Sequence, residues 1–350
     1  MLLIWIYLFS IFHLCTSVDS DVQCEQKNVT VQVPNLLLPS ITTTESLATW
    51  FCWKEGTQLN TNTIVHLTIH GYTYDHTYWA FPYQSPEYSY VDYVIKNSNG
   101  SIVVLNIDRI GIGLSSKPDA IDVTVDSNAN VISQLTTYIH NGAYKDIQFT
   151  NIILVGHSLG TLITWTIAST PSYNQYIRGI IATGWLHVPN PVGTAAVIAS
   201  VYPAQLDPVT SQQSVPLLYV TTNPANNTRQ NLFYNISNAD PNVIQTDEQT
   251  KHTGTIGEVL TFGLAILPTV TLSIPSNIPV LAVMGQYDIV FCAPLVLSCD
   301  TSSNIALRES SSYLSAIDTF VLPNSGHDIN LHLNSQDWYE KALNWTLQHF

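Results

Sequence analysis

The sequence predicts an α/β protein with a mostly parallel sheet, helices on both faces of that sheet and an inserted lid subdomain. Short apolar runs typical of buried strands alternate with stretches of helical periodicity, which is the pattern of strand–helix–strand units. A proline-rich segment interrupts this alternation between residues 185 and 277. Hydrophobic residues make up 45% of the 350 residues and charged residues only 10%. The chain therefore has enough apolar side chains to fold around a sizeable core.

The charge balance excludes one class of partner. Lys and Arg together number 11, whereas Asp and Glu number 25, and the formal net charge is −14. A nucleic-acid-binding surface needs clustered cations that neutralise phosphates. We therefore expect no nucleic-acid partner.

The first residues predict an export signal. Leu2–Leu14 is apolar except for Ser10 and His13, and small residues follow it up to Ser17. The run is too short to span a bilayer, which needs roughly 20 residues in a helix. We predict a signal peptide over residues 1–17, cleaved after Ser17, and hence a secreted protein without stable membrane insertion. The segment lacks the usual Lys or Arg, and a short membrane anchor is the alternative.

The cysteines and the glycosylation sequons agree with secretion. Removal of the signal leaves Cys24, Cys52, Cys292 and Cys299, an even number that predicts two disulfides in an oxidising compartment. Of the three possible connectivities we favour the local pairs, Cys24–Cys52 and Cys292–Cys299. Sequons of the N-x-S/T type occur at Asn28, Asn99, Asn226, Asn235 and Asn344.

The predicted core comprises residues 18–184 and 278–350, and the predicted lid comprises residues 185–277. The apolar runs that predict strands are Thr63–Ile69, Ser101–Ile107, Ile152–Val155, Ile177–Thr183, Pro279–Met284 and Thr319–Leu322. The predicted helices are Thr124–His140, Leu159–Ser169, Ile256–Leu267 in the lid, and Asp337–Gln348. In such sheets functional residues gather at the carboxyl ends of the strands.

The strongest local motif is Gly156-His157-Ser158-Leu159-Gly160, which matches the G-x-S-x-G nucleophile elbow. The motif requires a strand before it and a helix after it, and the sequence predicts both. Side chains at the two glycines would clash across the strained turn that carries the serine. We therefore predict Ser158 as a nucleophile; an ordinary glycine-rich turn is the structural alternative.

A serine nucleophile needs a base, and the base needs an acid that orients it. His327 follows the last predicted strand, and we assign it as the base; His332 is its rival. Asp288 follows the strand Pro279–Met284, and we assign it as the acid, with helix capping as its structural alternative. We discount Asp328 because neighbouring side chains diverge.

Two backbone N–H groups should bind the developing oxyanion during acyl transfer. We assign the N–H of Leu159 and the N–H of Tyr72, which follows His70-Gly71 after an early strand. We assign His157, Tyr74 and Trp185 to substrate binding. The many aromatic residues between Tyr72 and Tyr93 either form a pocket wall or simply pack the loop onto the core.

Two segments that could hold a cofactor lack part of the pattern that such a site requires. Asp108-Arg109-Ile110-Gly111-Ile112-Gly113-Leu114-Ser115-Ser116 lacks the third glycine of a dinucleotide-binding loop, so we expect no nicotinamide cofactor. His66 and His70 share a strand face without a carboxylate or cysteine beside them, which argues against a metal site there. We therefore expect catalysis without a cofactor.

Taken together, these motifs resemble the secreted members of the α/β-hydrolase fold family. The resemblance rests on His70-Gly71, the Asp108–Ser115 glycine motif, the elbow, and the order Ser158, Asp288, His327. It implies an α/β-hydrolase fold, a catalytic triad and hydrolytic activity. The serine at the elbow argues against epoxide hydrolases and dehalogenases, whose nucleophile there is an aspartate.

The expected function is that of a secreted serine hydrolase that cleaves a carboxylic ester. The lid has few charges, so we expect the substrate to be a largely apolar or neutral small molecule. An acyltransferase, a lactonase or an amidase would use the same triad and remains an alternative. A non-catalytic binding protein on the hydrolase fold is the alternative from another class.

Overall fold

The computed structural model describes residues 21–265 and 267–350, so the predicted signal peptide lies outside the described residues. The described strands form one eight-stranded sheet and one three-stranded sheet. In chain order they are β1 (Val22–Pro34), β2 (Thr42–Lys54), β3 (Ile64–Ile69), β4 (Ile102–Ile107), β5 (Asn151–His157), β6 (Ile177–Thr183), β7 (Val201–Pro203), β8 (Tyr219–Thr222), β9 (Gly254–Thr255), β10 (Val280–Gly285) and β11 (Asp318–Leu322).

The large sheet has the order β1-β2-β4-β3-β5-β6-β10-β11. From β4 to β11 every neighbouring pair is parallel. The antiparallel pairs of this sheet are those that β2 forms with β1 on one side and with β4 on the other. The mostly parallel sheet predicted from the sequence is thus confirmed, and the carboxyl ends of six strands share one edge.

Ten α-helices occur among the described residues, besides short 3-10 turns. They are α1 (Tyr90–Asn97), α2 (Val125–His140), α3 (Leu159–Ser169), α4 (Pro191–Ala199), α5 (Thr228–Phe233), α6 (Pro241–Thr250), α7 (Ile256–Ala265), α8 (Pro268–Thr271), α9 (Ser302–Glu309) and α10 (Ser335–His349). Side chains that alternate along β4 show how the sheet is covered. Val103 and Leu105 share a core with α2 and α3, whereas Ile102 and Val104 share another with α1 and α10. Helices therefore cover both faces.

The hairpin formed by β1 and β2 was not predicted. On β1, Val29, Val31 and Val33 are buried while Thr30 and Gln32 are exposed. The strand thus has one buried face and one face in water, as antiparallel strands commonly do. Its alternating sequence lacks the continuous apolar run by which the parallel strands were recognised.

Residues 185–277, called the insertion below, connect β6 to β10. They hold α4 to α8 and the small sheet of β7, β8 and β9, whose neighbouring pairs are antiparallel. The prolines that interrupt the sequence pattern have a local role here: Pro191, Pro241 and Pro268 each lie in the first turn of a helix. Proline fits there because the first N–H groups of a helix need no intrahelical partner.

A buried ion pair joins the insertion to the core. The guanidinium of Arg109, directly after β4, contacts the carboxylate of Glu258 on α7, and both side chains are fully buried. Arg109 also donates to the backbone carbonyl oxygens of His70 and Gly71, at 3.1 and 3.2 Å. The pair therefore supports the loop after β3 as well.

The variant Glu258→Gln is expected to lower the free energy of unfolding by about 3 kcal/mol, because it leaves a buried guanidinium without its counter-charge. Urea unfolding measures this change. The matched control is Glu25→Gln, which removes the exposed pair of Glu25 with Lys145 and should cost less than about 1 kcal/mol. Equal losses in the two variants would contradict the expectation.

The four cysteines form the two local disulfides, Cys24–Cys52 and Cys292–Cys299. The first joins directly opposed residues of β1 and β2.

Among the predicted glycosylation positions Asn28, Asn99, Asn226 and Asn344 are exposed, while Asn235 is partly buried and donates to the backbone of Asn324. Within the described ranges, none of the helices has the length and apolarity that crossing a membrane requires.

Candidate active site

Ser158 lies in the sharp turn between the end of β5 and the start of α3. Its backbone has φ 53° and ψ −118°, a conformation that is strained for a residue with a side chain. Its N–H donates to the carbonyl oxygen of Thr183 on the neighbouring β6, at 2.8 Å. The turn therefore presents a partly exposed serine at the carboxyl edge of the sheet.

The glycines on either side make this turn possible. A Cβ atom on Gly156 would lie 2.5 Å from the carbonyl oxygen of Gly160. A Cβ atom on Gly160 would overlap the carbonyl oxygen of Ile69 at the end of β3. Both obstacles are backbone atoms that cannot rotate away, so a side chain at either position would displace the turn.

Three residues that are far apart in the sequence meet at this turn. The Nε2 atom of His327 lies 2.9 Å from the Oγ of Ser158, and its Nδ1 atom lies 2.7 Å from the Oδ2 of Asp288. Asp288 follows β10, and His327 follows β11. The arrangement has the geometry in which a base can take a serine proton while a carboxylate orients that base.

The carboxylate of Asp288 is held on both sides. Its Oδ1 atom accepts hydrogen bonds from the N–H groups of Val290 and Phe291, at 2.9 and 3.3 Å, while its Oδ2 atom faces His327. The side chain is fully buried. One oxygen thus caps a turn, a role similar to the helix capping given as the alternative for Asp288. The other oxygen orients the imidazole.

Opposing influences act on the protonation of His327. Burial lowers its pKa, but the charge and hydrogen bond of Asp288, together with the charge of Asp328, raise it further than burial lowers it. The net effect is a raised pKa. The imidazolium that forms when the base accepts a proton is therefore stabilised.

The loop after β3 approaches the serine closely. A Cβ atom on Gly71 would lie 3.1 Å from the Cβ of Ser158, which explains the glycine there. His70 braces this loop: its Nδ1 contacts the carbonyl oxygen of Gly71, and its Nε2 accepts from the N–H of Arg109. Leu159 opens α3 and Tyr72 follows Gly71, so both predicted oxyanion donors belong to segments that border the serine.

An apolar pocket opens at Ser158 and His327. The core contributes Tyr72, Tyr74, His157 and Leu159, and the insertion contributes Trp185, Val197 and Phe262 among others. All three residues that the sequence analysis assigned to substrate binding thus line it. His157 is fully buried and held by the hydroxyl of Thr183, at 3.0 Å from its Nδ1.

Most of the aromatic residues after Tyr74 pack the loop onto the core. The members of this group that are buried together in the core beside α1 and α10 are Tyr78, Trp79, Phe81, Tyr88 and Tyr90. Trp79 and Tyr90 both contact Trp338 of α10. Of the predicted aromatic wall, only its first members reach the pocket.

The rival histidine and another carboxylate that follows β10 serve other contacts. The Nε2 of His332 accepts from the N–H groups of Gly326 and Asn235, at 2.9 and 3.0 Å, and burial lowers the pKa of this imidazole to about 4. The carboxylate is that of Asp300, which is exposed and accepts from the hydroxyl of Ser298. Neither bonds to Ser158 or His327.

The sequence analysis missed a buried polar network behind His327. Asp328 accepts from the hydroxyl of Tyr74, which also contacts Asp247 on α6, at 3.2 Å. Asp247 in turn pairs with Arg229 of α5, at 2.6 Å. The residues of this network meet only in the folded chain, because no sequence motif links Asp328 to Asp247 and Arg229, which lie far upstream in the insertion.

Asp328 has an unusual environment for a carboxylate. Burial and the charge of Asp247 raise its pKa to about 7, against the opposing effects of His327, Arg229 and the Tyr74 hydroxyl. Its Oδ1 lies 3.5 Å from the Nε2 of His157, and neither atom has a hydrogen-bond partner among the described residues. A buried carboxylate with a raised pKa thus lies beside the candidate base.

Because the proposed base must be neutral, we expect activity to fall on acidification as His327 gains a proton. The pH at which half of the activity is lost should lie above the ordinary histidine pKa of about 6.5. Asp328→Asn removes one of the charges that raise this pKa, so the midpoint should move to lower pH. The pH dependence of kcat/KM measures both. The exposed Asp146→Asn is the control, and a midpoint that moves equally in the two variants would contradict the assignment.

Comparisons with known proteins identify the family to which this fold belongs. A sequence model described as the alpha/beta hydrolase family matches residues 67–342. No curated protein matches the sequence. Several solved structures share its fold at low sequence identity.

Among them is a soluble variant of monoglyceride lipase from Saccharomyces cerevisiae, with a TM-score of 0.58 and 15% identity over 87% of this chain and 92% of that one. Monoacylglycerol lipase from Paleococcus ferrophilus has a TM-score of 0.54 and 14% identity over 83% and 96%. A meta-cleavage product hydrolase from Pseudomonas fluorescens has a TM-score of 0.55 and 12% identity over 87% and 96%. At such identities the likeness concerns the fold.

Proposed function

Because the chain belongs to the alpha/beta hydrolase family, we propose that it is a secreted serine hydrolase that cleaves a carboxylic ester of a largely apolar or neutral small molecule. The observation that carries the proposal is the hydrogen-bonded series Ser158–His327–Asp288, with separations of 2.9 and 2.7 Å. This series lies at an apolar pocket, where an acyl or alcohol group can be bound beside the nucleophile.

In the proposed mechanism the Oγ of Ser158 attacks the ester carbonyl carbon while the Nε2 of His327 takes the hydroxyl proton. Asp288 stabilises the imidazolium through Nδ1, and the N–H groups of Leu159 and Tyr72 bind the oxyanion. His327 then gives its proton to the departing alcohol, and an acyl-enzyme remains on Ser158. Water attacks the acyl-enzyme with His327 again as base, which releases the acid and restores the serine.

The pocket supports a substrate with apolar groups. Trp185, Val197 and Phe262 of the insertion face the site, and we propose that the insertion, residues 185–277, serves as its lid. Tyr74, His157 and Trp185 would contact the substrate. Two solved structures of the same fold are named as monoglyceride or monoacylglycerol lipases, which agrees with an ester of an acyl chain.

Secretion is supported by two features of the chain. The first residues have the pattern of a signal peptide, and all four cysteines among the described residues are paired in disulfides. Expression in a secretory host, followed by sequencing of the mature N-terminus, tests this part. The expected mature chain begins after Ser17, and retention of the protein in the membrane would favour the anchor.

The test of the activity uses a fluorophosphonate probe and a series of p-nitrophenyl esters of graded chain length. We expect the probe to label one residue, Ser158, as located by peptide mapping, and we expect turnover of at least one ester. Failure of a folded sample to react with the probe would favour a binding protein. Labelling without release of acid, but with transfer to an added alcohol, would favour an acyltransferase.

A further inference from the structure

A second cluster of ionisable side chains lies outside the pocket. Asp75 and His76 belong to the loop after β3, Asp108 directly follows β4, and His252 lies in the insertion between α6 and β9. The Nδ1 of His76 is 2.7 Å from the Oδ1 of Asp108 and 3.6 Å from the Oδ2 of Asp75. The Nε2 of His252 is 3.0 Å from that same Oδ2. One imidazole nitrogen and two carboxylate oxygens, from His76, Asp75 and Asp108, thus lie within 4.8 Å of one another, and His252 borders them through Asp75.

The carboxylates are oriented by their other contacts. The Oδ1 of Asp75 accepts from the N–H of Thr77 at 2.9 Å and from its hydroxyl at 2.5 Å, which leaves Oδ2 facing the imidazoles. The Oδ2 of Asp108 accepts from the N–H of Leu114 at 2.7 Å, and its Oδ1 accepts from the N–H of His76 at 2.9 Å. Outer contacts of this kind hold ligands in place at metal sites.

The glycine motif after β4, which lacks the third glycine of a dinucleotide-binding loop, serves to hold the carboxylate of Asp108. Gly113 has a φ of 53°, and a Cβ atom on it would overlap the carboxylate of Asp108. Ser115 donates from its hydroxyl to the carbonyl oxygen of Asp108, at 2.7 Å. The loop thus folds around one carboxylate and fixes its position.

Both imidazoles are fixed and yet accessible. The ring of His76 stacks on Trp50 with centroids 3.6 Å apart and planes 15° apart. The backbone N–H of His252 donates to the carbonyl oxygen of Thr73, at 3.0 Å, which positions the residue that carries the second ring. Their side chains are 20% and 19% exposed, whereas those of Asp75 and Asp108 are 8% and 0% exposed. An ion from solution can therefore reach donors that the fold already positions.

We propose that Asp75, His76 and Asp108 form a three-ligand binding site for a divalent transition-metal ion of the zinc class. One nitrogen and two oxygens are donors that Zn²⁺ accepts in tetrahedral geometry with a water as the fourth ligand, and bonds of about 2.0 Å place neighbouring ligand atoms about 3.3 Å apart. The Nδ1 of His76 lies 2.7 and 3.6 Å from the two carboxylate oxygens, and these separations bracket that spacing. Mg²⁺ and Ca²⁺ prefer all-oxygen sites.

Charge supports the same ion. When the neighbouring imidazoles are neutral, the two carboxylates carry a charge of −2 in a largely buried place, and a divalent cation neutralises it. The competing account is that protons on the two imidazoles alone balance the carboxylates.

Titration of the EDTA-treated full chain with ZnCl₂ separates these accounts. We expect saturable binding of one Zn²⁺ per chain, a rise in Tm with zinc and no rise with MgCl₂. X-ray absorption should show nitrogen and oxygen ligands at about 2.0–2.2 Å with imidazole scattering. The absence of saturable zinc binding, or a zinc site that contains sulfur, would overturn the proposal.

Variants identify the ligands. His76→Gln should weaken zinc binding at least about tenfold, while His76→Cys, which supplies another zinc ligand, should restore most of it. The control is His349→Gln, which removes a surface pair of His349 with Asp318 at 3.6 Å and should leave zinc binding unchanged. Should His76→Gln not fold, Asp75→Asn tests the same site. Equal effects of His76→Gln and His349→Gln, or no rescue by cysteine, would contradict the assignment of His76.

Discussion

Replacement of Ser158 by alanine is expected to lower kcat for p-nitrophenyl esters by about 10⁴- to 10⁶-fold and to abolish labelling by a fluorophosphonate. The reason is geometric: the Nε2 of His327 has the Oγ of Ser158 at 2.9 Å, and alanine leaves the base with no nucleophile to activate. Ester hydrolysis and gel fluorescence measure the two effects. Circular dichroism should show an unchanged fold.

The matched control is Ser310→Ala, which removes an exposed hydroxyl after α9 and should leave both readouts at their wild-type values. A double variant, Ser158→Ala with His327→Ala, should be little worse than Ser158→Ala alone, because the residues act as a unit. Labelling that persists in Ser158→Ala would place the nucleophile elsewhere. Additive losses in the double variant would contradict a shared role.

Replacement of Gly160 by alanine is expected to destabilise the protein by about 4 kcal/mol or more, or to prevent folding. The added Cβ would overlap the carbonyl oxygen of Ile69 and lie 2.9 Å from that of His70, both part of the backbone that leads to the loop beside Ser158. Relief of the overlap requires α3 to move away from β3. Denaturant unfolding gives the loss of stability, and residual activity should fall with it.

Gly263→Ala is the control for the loss of a glycine as such. Gly263 lies within α7, and a Cβ atom there would have no neighbour within 4 Å. Alanine favours a helix by about 0.5–1 kcal/mol over glycine, so this variant should be slightly more stable. If Gly160→Ala were tolerated as well as Gly263→Ala, the close approach of α3 to β3 would be wrong.

The parts of the candidate site that follow from sequence are those that local geometry dictates. A serine between two glycines, after a strand and before a helix, can form only a narrow range of turns, so the elbow was predictable from seven consecutive residues of β5 and the motif itself. Asp288 and His327 were predictable because each directly follows a parallel strand, and the carboxyl ends of parallel strands meet at one edge.

The hairpin of β1 and β2 shows where this reasoning stops. Its pairing is decided by which face meets the core, and an alternating sequence such as that of Val29–Val33 acquires a buried face only when α2 packs against it. The prolines of the insertion make a similar point. They interrupt a periodic pattern in the sequence, yet Pro191 and Pro241 begin helices in the fold.

By itself the sequence determined the fold class, the elbow and the chain order of the three residues that meet there, because short-range sterics and the rules of parallel sheets leave few alternatives. Only the tertiary structure decided that Asp328 lies close to His327, that residues of the insertion line the pocket, and that His252 pairs with Asp75. Those contacts join residues far apart in the chain, and their geometry depends on packing that no local pattern encodes.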